Sequence, residues 1–336
     1  MHFHGSMRDF MKLIRWQNLL IVILTMVLMR YAVIEALISR IGIIPLTGSG
    51  EQTPMVLQLP WFYFMLLIAA TVFITAGGYV INDYFDIKTD LINKDGKVIV
   101  STKIPRRQAM LWHTILNIAG VLAGFYISWK AGYVWIGLLF LMVSGLLYFY
   151  SASYKRQFLI GNIIVAFLTA MVPFLVIIYE WAFIYRYYVV NALEMPDLDF
   201  LFFWIGGFSL FAFLTTLTRE IIKDIEDFEG DSTFGSNTIP IVLGIPASRI
   251  IVVILIGITI SMLYLVWGFF VTDLITLLYI SVFIVLPLLY IIYLVFRSRS
   301  KKQIHTASTM MKVVMLTGIL YSLVVKAILT WNLFLE

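Results

Sequence analysis

The sequence predicts an all-α polytopic membrane protein with nine transmembrane helices, and three observations carry that prediction. Of 336 residues, 61% are apolar and 13% charged, where a soluble globular chain has about a quarter charged. The apolar residues fall in runs long enough to cross the hydrocarbon core as helices. The basic residues collect in alternate connections between those runs.

In chain order the runs are 17–38, 61–81, 108–128, 133–151, 158–181, 200–222, 249–271, 274–296 and 309–333. The first is too long for a cleavable leader and is expected to stay in the membrane. Before it stand Arg8, Lys12 and Arg15. Lys88, Lys94, Lys97, Lys103, Arg106 and Arg107 follow span two, Lys155 and Arg156 follow span four, and Arg219, Lys223 and Arg249 flank the connection after span six. Arg297, Arg299, Lys301 and Lys302 follow span eight, whereas the opposite side offers Arg40, Lys130 and Arg186. The positive-inside rule then predicts a cytoplasmic amino terminus and an external Glu336; the expected setting is a bacterial or archaeal plasma membrane. The net charge of +5 reflects this asymmetry and calls for no nucleic acid.

The expected organisation is a cytoplasmic segment, 1–16, and one nine-helix domain, 17–336, with halves 17–151 and 158–296 echoing each other and the helix 309–333 left over. Met7 offers an alternative start, which would leave His2 and His4 in a short leader. With no cysteine, disulfides, thiolate metal sites and cysteine nucleophiles are excluded. His113 and His305 have no partner at ligand spacing and read as structural or solvated. Arg30 and Glu35, both in span one, read as a structural pair or as snorkelling outward. Gly120 and Gly124 read as a close helix approach, and Asn162 reads equally as a hydrogen bond to a neighbouring helix or as a site residue.

Two acidic clusters interrupt this apolar chain. NDYFDIKTD carries Asp83, Asp86 and Asp90; KDIEDFEGD carries Asp224, Asp227 and Asp231. Both read D-x-x-D-x-x-x-D, and helical offsets of three and seven put each triad on one face. Three anions on one face repel each other unless cations neutralise them, and both triads leave membrane spans, two and six, at the same side. The reading is a divalent cation on each cluster with a polyanion between. Hard oxygen donors without cysteine or clustered histidine point to Mg²⁺, which keeps several waters and shares substrate phosphates. Two facing clusters suit a diphosphate, and Lys97, Arg106, Arg107, Arg219 and Lys223 supply cations for its oxygens. Arg219, Lys223 and Asp227 share one helical stripe. Glu220 lies one turn deeper on the aspartate face, where it pairs with Arg219 or Lys223, while Glu226 and Glu229 turn away. Lys155, in YSASYKRQFLIGN, reads equally as a topology-setting charge or as a site residue.

The motif NDYFDIKTDLIN resembles the first aspartate-rich motif of the UbiA-type intramembrane prenyltransferases. REIIKDIEDFEGD followed by TIPIVLG resembles their second motif, and YSASYKRQFLIGN their turn between helices four and five. The resemblance implies nine helices around a central cavity whose cytoplasmic mouth binds Mg²⁺ and a prenyl diphosphate. It implies metal and catalytic roles for Asp83, Asp86, Asp90, Asp224, Asp227 and Asp231, and diphosphate contacts for Asn82, Lys97, Lys155, Arg219 and Lys223. The chain departs from the family after the first motif, in NKDGKVIVSTK: Asn93 is kept, Lys97 replaces an arginine and Val98 a proline. That exchange loses a bidentate fork and a rigid turn.

The implied reaction is transfer of a polyprenyl group, geranylgeranyl in the branch that the second motif resembles, to a lipophilic acceptor within the membrane lipid. The acceptor is expected to be a glycerol-phosphate ether lipid, with aromatic quinone precursors as the alternative. From other classes stand a membrane transporter, which would carry its charges near mid-membrane in Gly/Pro-broken spans, and a non-catalytic lipid-binding scaffold, which would not need both triads.

Overall fold

A computed structural model of the chain describes residues 6–40, 42–43, 53–87, 91, 98–191, 193–298 and 300–330. Among them, nine helices are long and apolar enough to cross a membrane: Trp16–Ile38, Trp61–Phe85, Arg106–Ala131, Val134–Ala152, Ile160–Val190, Asp199–Glu226, Ile245–Val271, Leu274–Arg297 and Lys301–Thr330. They are called spans one to nine below. The protein is therefore all-α and polytopic. Extended segments pair only minimally among the described residues: Gly42–Ile43 runs antiparallel to Thr53–Pro54, and a single bridge joins Val100 to Ile104.

The helix ends follow from local chemistry. Pro60 and Pro105, with ψ near 144° and 143°, precede spans two and three, where a missing N–H costs nothing. Gly132, at φ 91°, closes span three in the left-handed conformation. Spans five and nine begin or end outside the apolar windows of 158–181 and 309–333, because helices run on through amphipathic turns: YRYYVV extends span five and KKQIHTAS opens span nine. Pro173 sits buried inside span five, as membrane helices tolerate. Spans one, seven and eight each contain a π-helical turn, at Met29–Ile34, Trp267–Val271 and Ile280–Val285.

Span one packs against spans two, five and nine, and span six against five, seven and nine. Gly120 and Gly124 act as their spacing predicts. A Cβ on Gly120 would lie 2.9 Å from Ala70 O in span two, and one on Gly124 would lie 2.3 Å from the Phe140 ring in span four. The segment before span one also folds: Met7–Leu13 is a helix with a Ser6–Asp9 capping box. Its Leu13 packs with Val80, Val100, Ile104 and Ala109, and Phe10 lies 4.7 Å from Trp112.

The pairing of charges in span one differs from expectation. Arg30 and Glu35 do not pair with each other; each takes a partner from another span. Arg30 Nε instead donates to Glu180 Oε2 of span five at 3.1 Å, and Lys326 of span nine meets Glu35 at 3.2 Å. Arg30 is 2% exposed and Glu180 0%, so this is a buried ion pair. It is fully satisfied: Glu180 Oε1 accepts from the N–H groups of Gln58 and Leu59, and Arg30 donates to Tyr31 Oη and to Leu59 O. His113 is structural, its Nδ1 lying 3.0 Å from Gly77 O.

Candidate active site

Span two ends at Phe85, and Asp86 caps it, its N–H donating to Asn82 O at 3.0 Å. Asp83, in the last turn, accepts from Arg15 Nη2 at 2.8 Å. Arg15 has φ 51° and ψ 53°, a left-handed conformation uncommon for a residue with a side chain. Its guanidinium lies 4.8 Å from the centre of the Tyr79 ring, whose hydroxyl accepts from Asn18 Nδ2 at 3.2 Å. Arg15 is thus held from two sides with its charge on the first motif. Asp90, Asn93 and Lys97 lie outside the described residues.

Span six ends at Glu226, and the next helix, Phe228–Thr233, carries Asp231. Asp231 N–H donates to Asp227 O at 3.1 Å. Asp224, in the last turn of span six, accepts from Asn162 Nδ2 at 2.8 Å, so the helix-to-helix bond expected of Asn162 goes to the site itself. One turn deeper, Glu220 receives both Arg219 Nη1 at 2.6 Å and Lys223 Nζ at 3.2 Å. Glu226 faces away, 2.8 Å from His305 Nδ1.

The turn between spans four and five joins the motifs. Lys155 Nζ pairs with the Asp86 carboxylate. The turn lies directly against the start of span five: a Cβ on Gly161 would be 2.6 Å from Lys155 Cα and 2.9 Å from Tyr154 O. Only glycine permits that approach. From the other side, Asn237 N–H, in the loop after the second motif, donates to Arg156 O at 2.8 Å.

The charges confirm the convergence. Burial pushes the Asp231 carboxyl up to about 6, and the like charges of Asp227 and Asp86 add to that, against Lys155 and Lys223. Asp86 belongs to the first motif and Asp231 to the second, so the two clusters open on one mouth at one end of the bundle. Five aspartates of the two motifs, 83, 86, 224, 227 and 231, stand there among the described residues. Among those residues no three carboxylates or imidazoles close into a ready-made metal cage. Magnesium needs none, since it binds through one or two carboxylates and completes its shell with water and phosphate oxygens. An all-oxygen donor set in which burial, with the neighbouring carboxylates, pushes the Asp231 carboxyl up fits such a cation.

Residues 55–332 match the UbiA prenyltransferase family. The chain belongs to that family. A digeranylgeranylglyceryl phosphate synthase of Methanosphaera stadtmanae is 34% identical over 257 residues, covering 76% of this chain and 85% of the relative. A solved structure from work on digeranylgeranylglyceryl phosphate synthase in membranes superposes with a TM-score of 0.58 at 23% identity, covering 94% of this chain and 98% of that one. A UbiA homologue from Archaeoglobus fulgidus, solved with DMAPP and Mg²⁺, superposes with a TM-score of 0.54 at 18% identity, covering 95% and 99%. At these identities the structures share the fold. Membership in the UbiA family makes the protein an integral membrane prenyltransferase, which removes the transporter and the inert scaffold.

Two cations near the mouth are not singled out by the sequence as site residues. Arg15 reads as a topology signal because it stands where positive charge gathers before a first span. Lys312 lies inside the apolar run 309–333, where a lysine is itself a signal of a partner or a ligand.

Proposed function

We propose that the protein is a Mg²⁺-dependent geranylgeranyltransferase that alkylates the free hydroxyl of geranylgeranylglyceryl phosphate, with its mouth on the cytoplasmic side. The observation that carries this reading is the meeting of both aspartate motifs at one mouth, in a chain whose relatives across most of their length are digeranylgeranylglyceryl phosphate synthases. The cytoplasmic assignment rests on the clustering of Lys and Arg in the connections at that end.

Asp83, Asp86, Asp224, Asp227 and Asp231, with Asp90 of the same motif, would hold Mg²⁺. Bound there, it would neutralise charge growing on the departing diphosphate. Lys155 and Arg15 already neutralise Asp86 and Asp83, and they are positioned to turn to diphosphate oxygens when the cation takes their place. Asn82 and Lys97 complete the proposed diphosphate contacts. The allylic carbon–oxygen bond breaks with its electron pair leaving on diphosphate. The acceptor hydroxyl oxygen then bonds the allylic carbon, and its proton passes to the released diphosphate. Burial within the bundle keeps water from the allylic cation. No protein nucleophile is needed.

The test is product identity. Purified protein in lipid nanodiscs receives geranylgeranyl diphosphate, Mg²⁺ and either geranylgeranylglyceryl phosphate or a hydroxybenzoate acceptor, and products are weighed by mass spectrometry. The reading predicts the digeranylgeranyl ether phosphate. Transfer to the aromatic acceptor alone would replace it with the quinone-precursor alternative.

A further inference from the structure

Spans six and nine run antiparallel in a register fixed at two points. Near the mouth His305 lies 2.8 Å from Glu226. Deeper, a Cβ on Gly318 would be 2.1 Å from the Phe211 ring, so the helices are in close contact there too. Midway between these points the register sets Lys312 level with Arg219. The electrostatics agree: the charges acting on Lys312 are those of Arg219, Lys223, Arg15 and Glu220.

The balance of charge in this place is unusual. Arg219 and Lys223 both bond the single carboxylate of Glu220. Lys312 has no ion-pair partner among the described residues, and its side chain remains accessible. Arg219 Nε is buried without a hydrogen-bond partner. Three cations thus gather about the Glu220 carboxylate; Asp224, next after Lys223, is engaged by Asn162, and Asp227 and Asp231 lie nearer the mouth. A lone excess of cations within a membrane bundle is costly unless an anion joins it.

We infer that Arg219, Lys223 and Lys312 form a second anion pocket, on the inner side of the aspartates, which holds the phosphate monoester of the acceptor. The assignment rests on the proposed phosphate-bearing acceptor and gives it an address. It also moves Arg219 and Lys223 from the diphosphate, where their sequence position had put them, to the other substrate. Diphosphate held through metal belongs with the aspartates. A monoester needs cations directly, as charge-assisted hydrogen bonds. In a glyceryl phosphate ether the reacting hydroxyl and the phosphate ester oxygen sit on adjacent carbons. A phosphate pocket one helical turn from the aspartates is close enough to bring that hydroxyl to the allylic carbon.

The experiment compares wild type with Lys312→Met and Lys312→Arg in nanodiscs, after equal melting temperatures establish that all three fold. Initial rates are measured against each substrate in turn, and binding of geranylgeranylglyceryl phosphate without donor or Mg²⁺ is followed by tryptophan fluorescence. Lys312→Met should raise the acceptor KM and weaken metal-free acceptor binding by about tenfold, as expected for losing one charge-assisted contact. The donor KM should stay within about twofold, and Lys312→Arg should restore the loss. An unchanged acceptor KM, or a donor KM that rises as much, overturns the pocket while leaving the activity in place. Wild type that accepts no phosphorylated alcohol at all overturns the underlying function first, and the pocket with it. If Lys312→Met melts early, the Lys312→Arg protein and competition by free glycerol phosphate against wild type decide: competition against donor rather than acceptor contradicts the pocket.

Discussion

Gly161 shows how a residue without chemistry of its own positions one that has it. Its missing side chain lets the Lys155 backbone lie against the start of span five, and Lys155 in turn meets Asp86. Gly161→Ala has backbone atoms to displace rather than a flexible side chain. Displacements of about 1 Å at a reacting site cost up to a hundredfold in rate. The variant is expected to lose roughly ten- to a hundredfold in kcat/KM while melting close to wild type, and wild-type kinetics would count against the role given to Lys155. Asp231 makes a second prediction at this scale. Its carboxyl is raised to about 6 from an ordinary value of 3.8. A raised acid favours the folded state while protonated and loses that contribution as pH climbs through 4 to 6, whereas Mg²⁺ binds the deprotonated form. Mg²⁺ should therefore raise the melting temperature more at pH 7.5 than at pH 5. Equal stabilisation at both values would remove Asp231 from the cation's ligands.

Among the elements, span one depends on a bond that no local pattern announces. Arg30 and Glu180 are separated by 150 residues and are both buried. Removing one partner of such a pair leaves a bare charge, at about 3–5 kcal/mol, whereas replacing both with apolar groups is often neutral. Glu180→Leu should lower stability to denaturant by that amount, and Arg30→Met with Glu180→Leu should recover most of it. A double variant as unstable as the single would mean that the pair is worth more than its isosteres. Spans six and nine give the complementary case, in which close contact rather than charge sets the register. Leucine at Gly318 would strike the Phe211 ring, and overpacking of this kind costs about 1–3 kcal/mol. The same variant should also raise the acceptor KM by tilting Lys312 away from Arg219.

For the molecule as a whole, periodicity and charge foretold much and pairing little. Hydropathy located every span because the lipid core requires about 20 apolar residues per crossing. The repeated aspartate spacing marked both halves of the mouth, although spans two and six end inside the motifs, at Phe85 and Glu226, so the acids do not share one continuous helix face as the spacing alone predicts. What stayed hidden was long-range. Which face of span nine meets span six, and that Lys312 thereby stands level with Arg219, is decided by packing at Gly318 and by the His305–Glu226 contact. Arg15 was invisible for another reason: a topology signal and a site residue look alike before a first span. The N-terminal helix Met7–Leu13 was likewise too short to register in hydropathy.

The assignment turns on both aspartate motifs serving one metal-bound diphosphate. The direct measurement is the rate of diphosphate release from geranylgeranyl diphosphate, with geranylgeranylglyceryl phosphate present, in wild type, Asp86→Asn and Asp227→Asn, each with Mg²⁺ and with EDTA. Shared use of the two motifs predicts release by wild type with Mg²⁺ and loss of at least about a hundredfold in either variant or in EDTA. Wild-type release in EDTA, or in either variant alone, would contradict it.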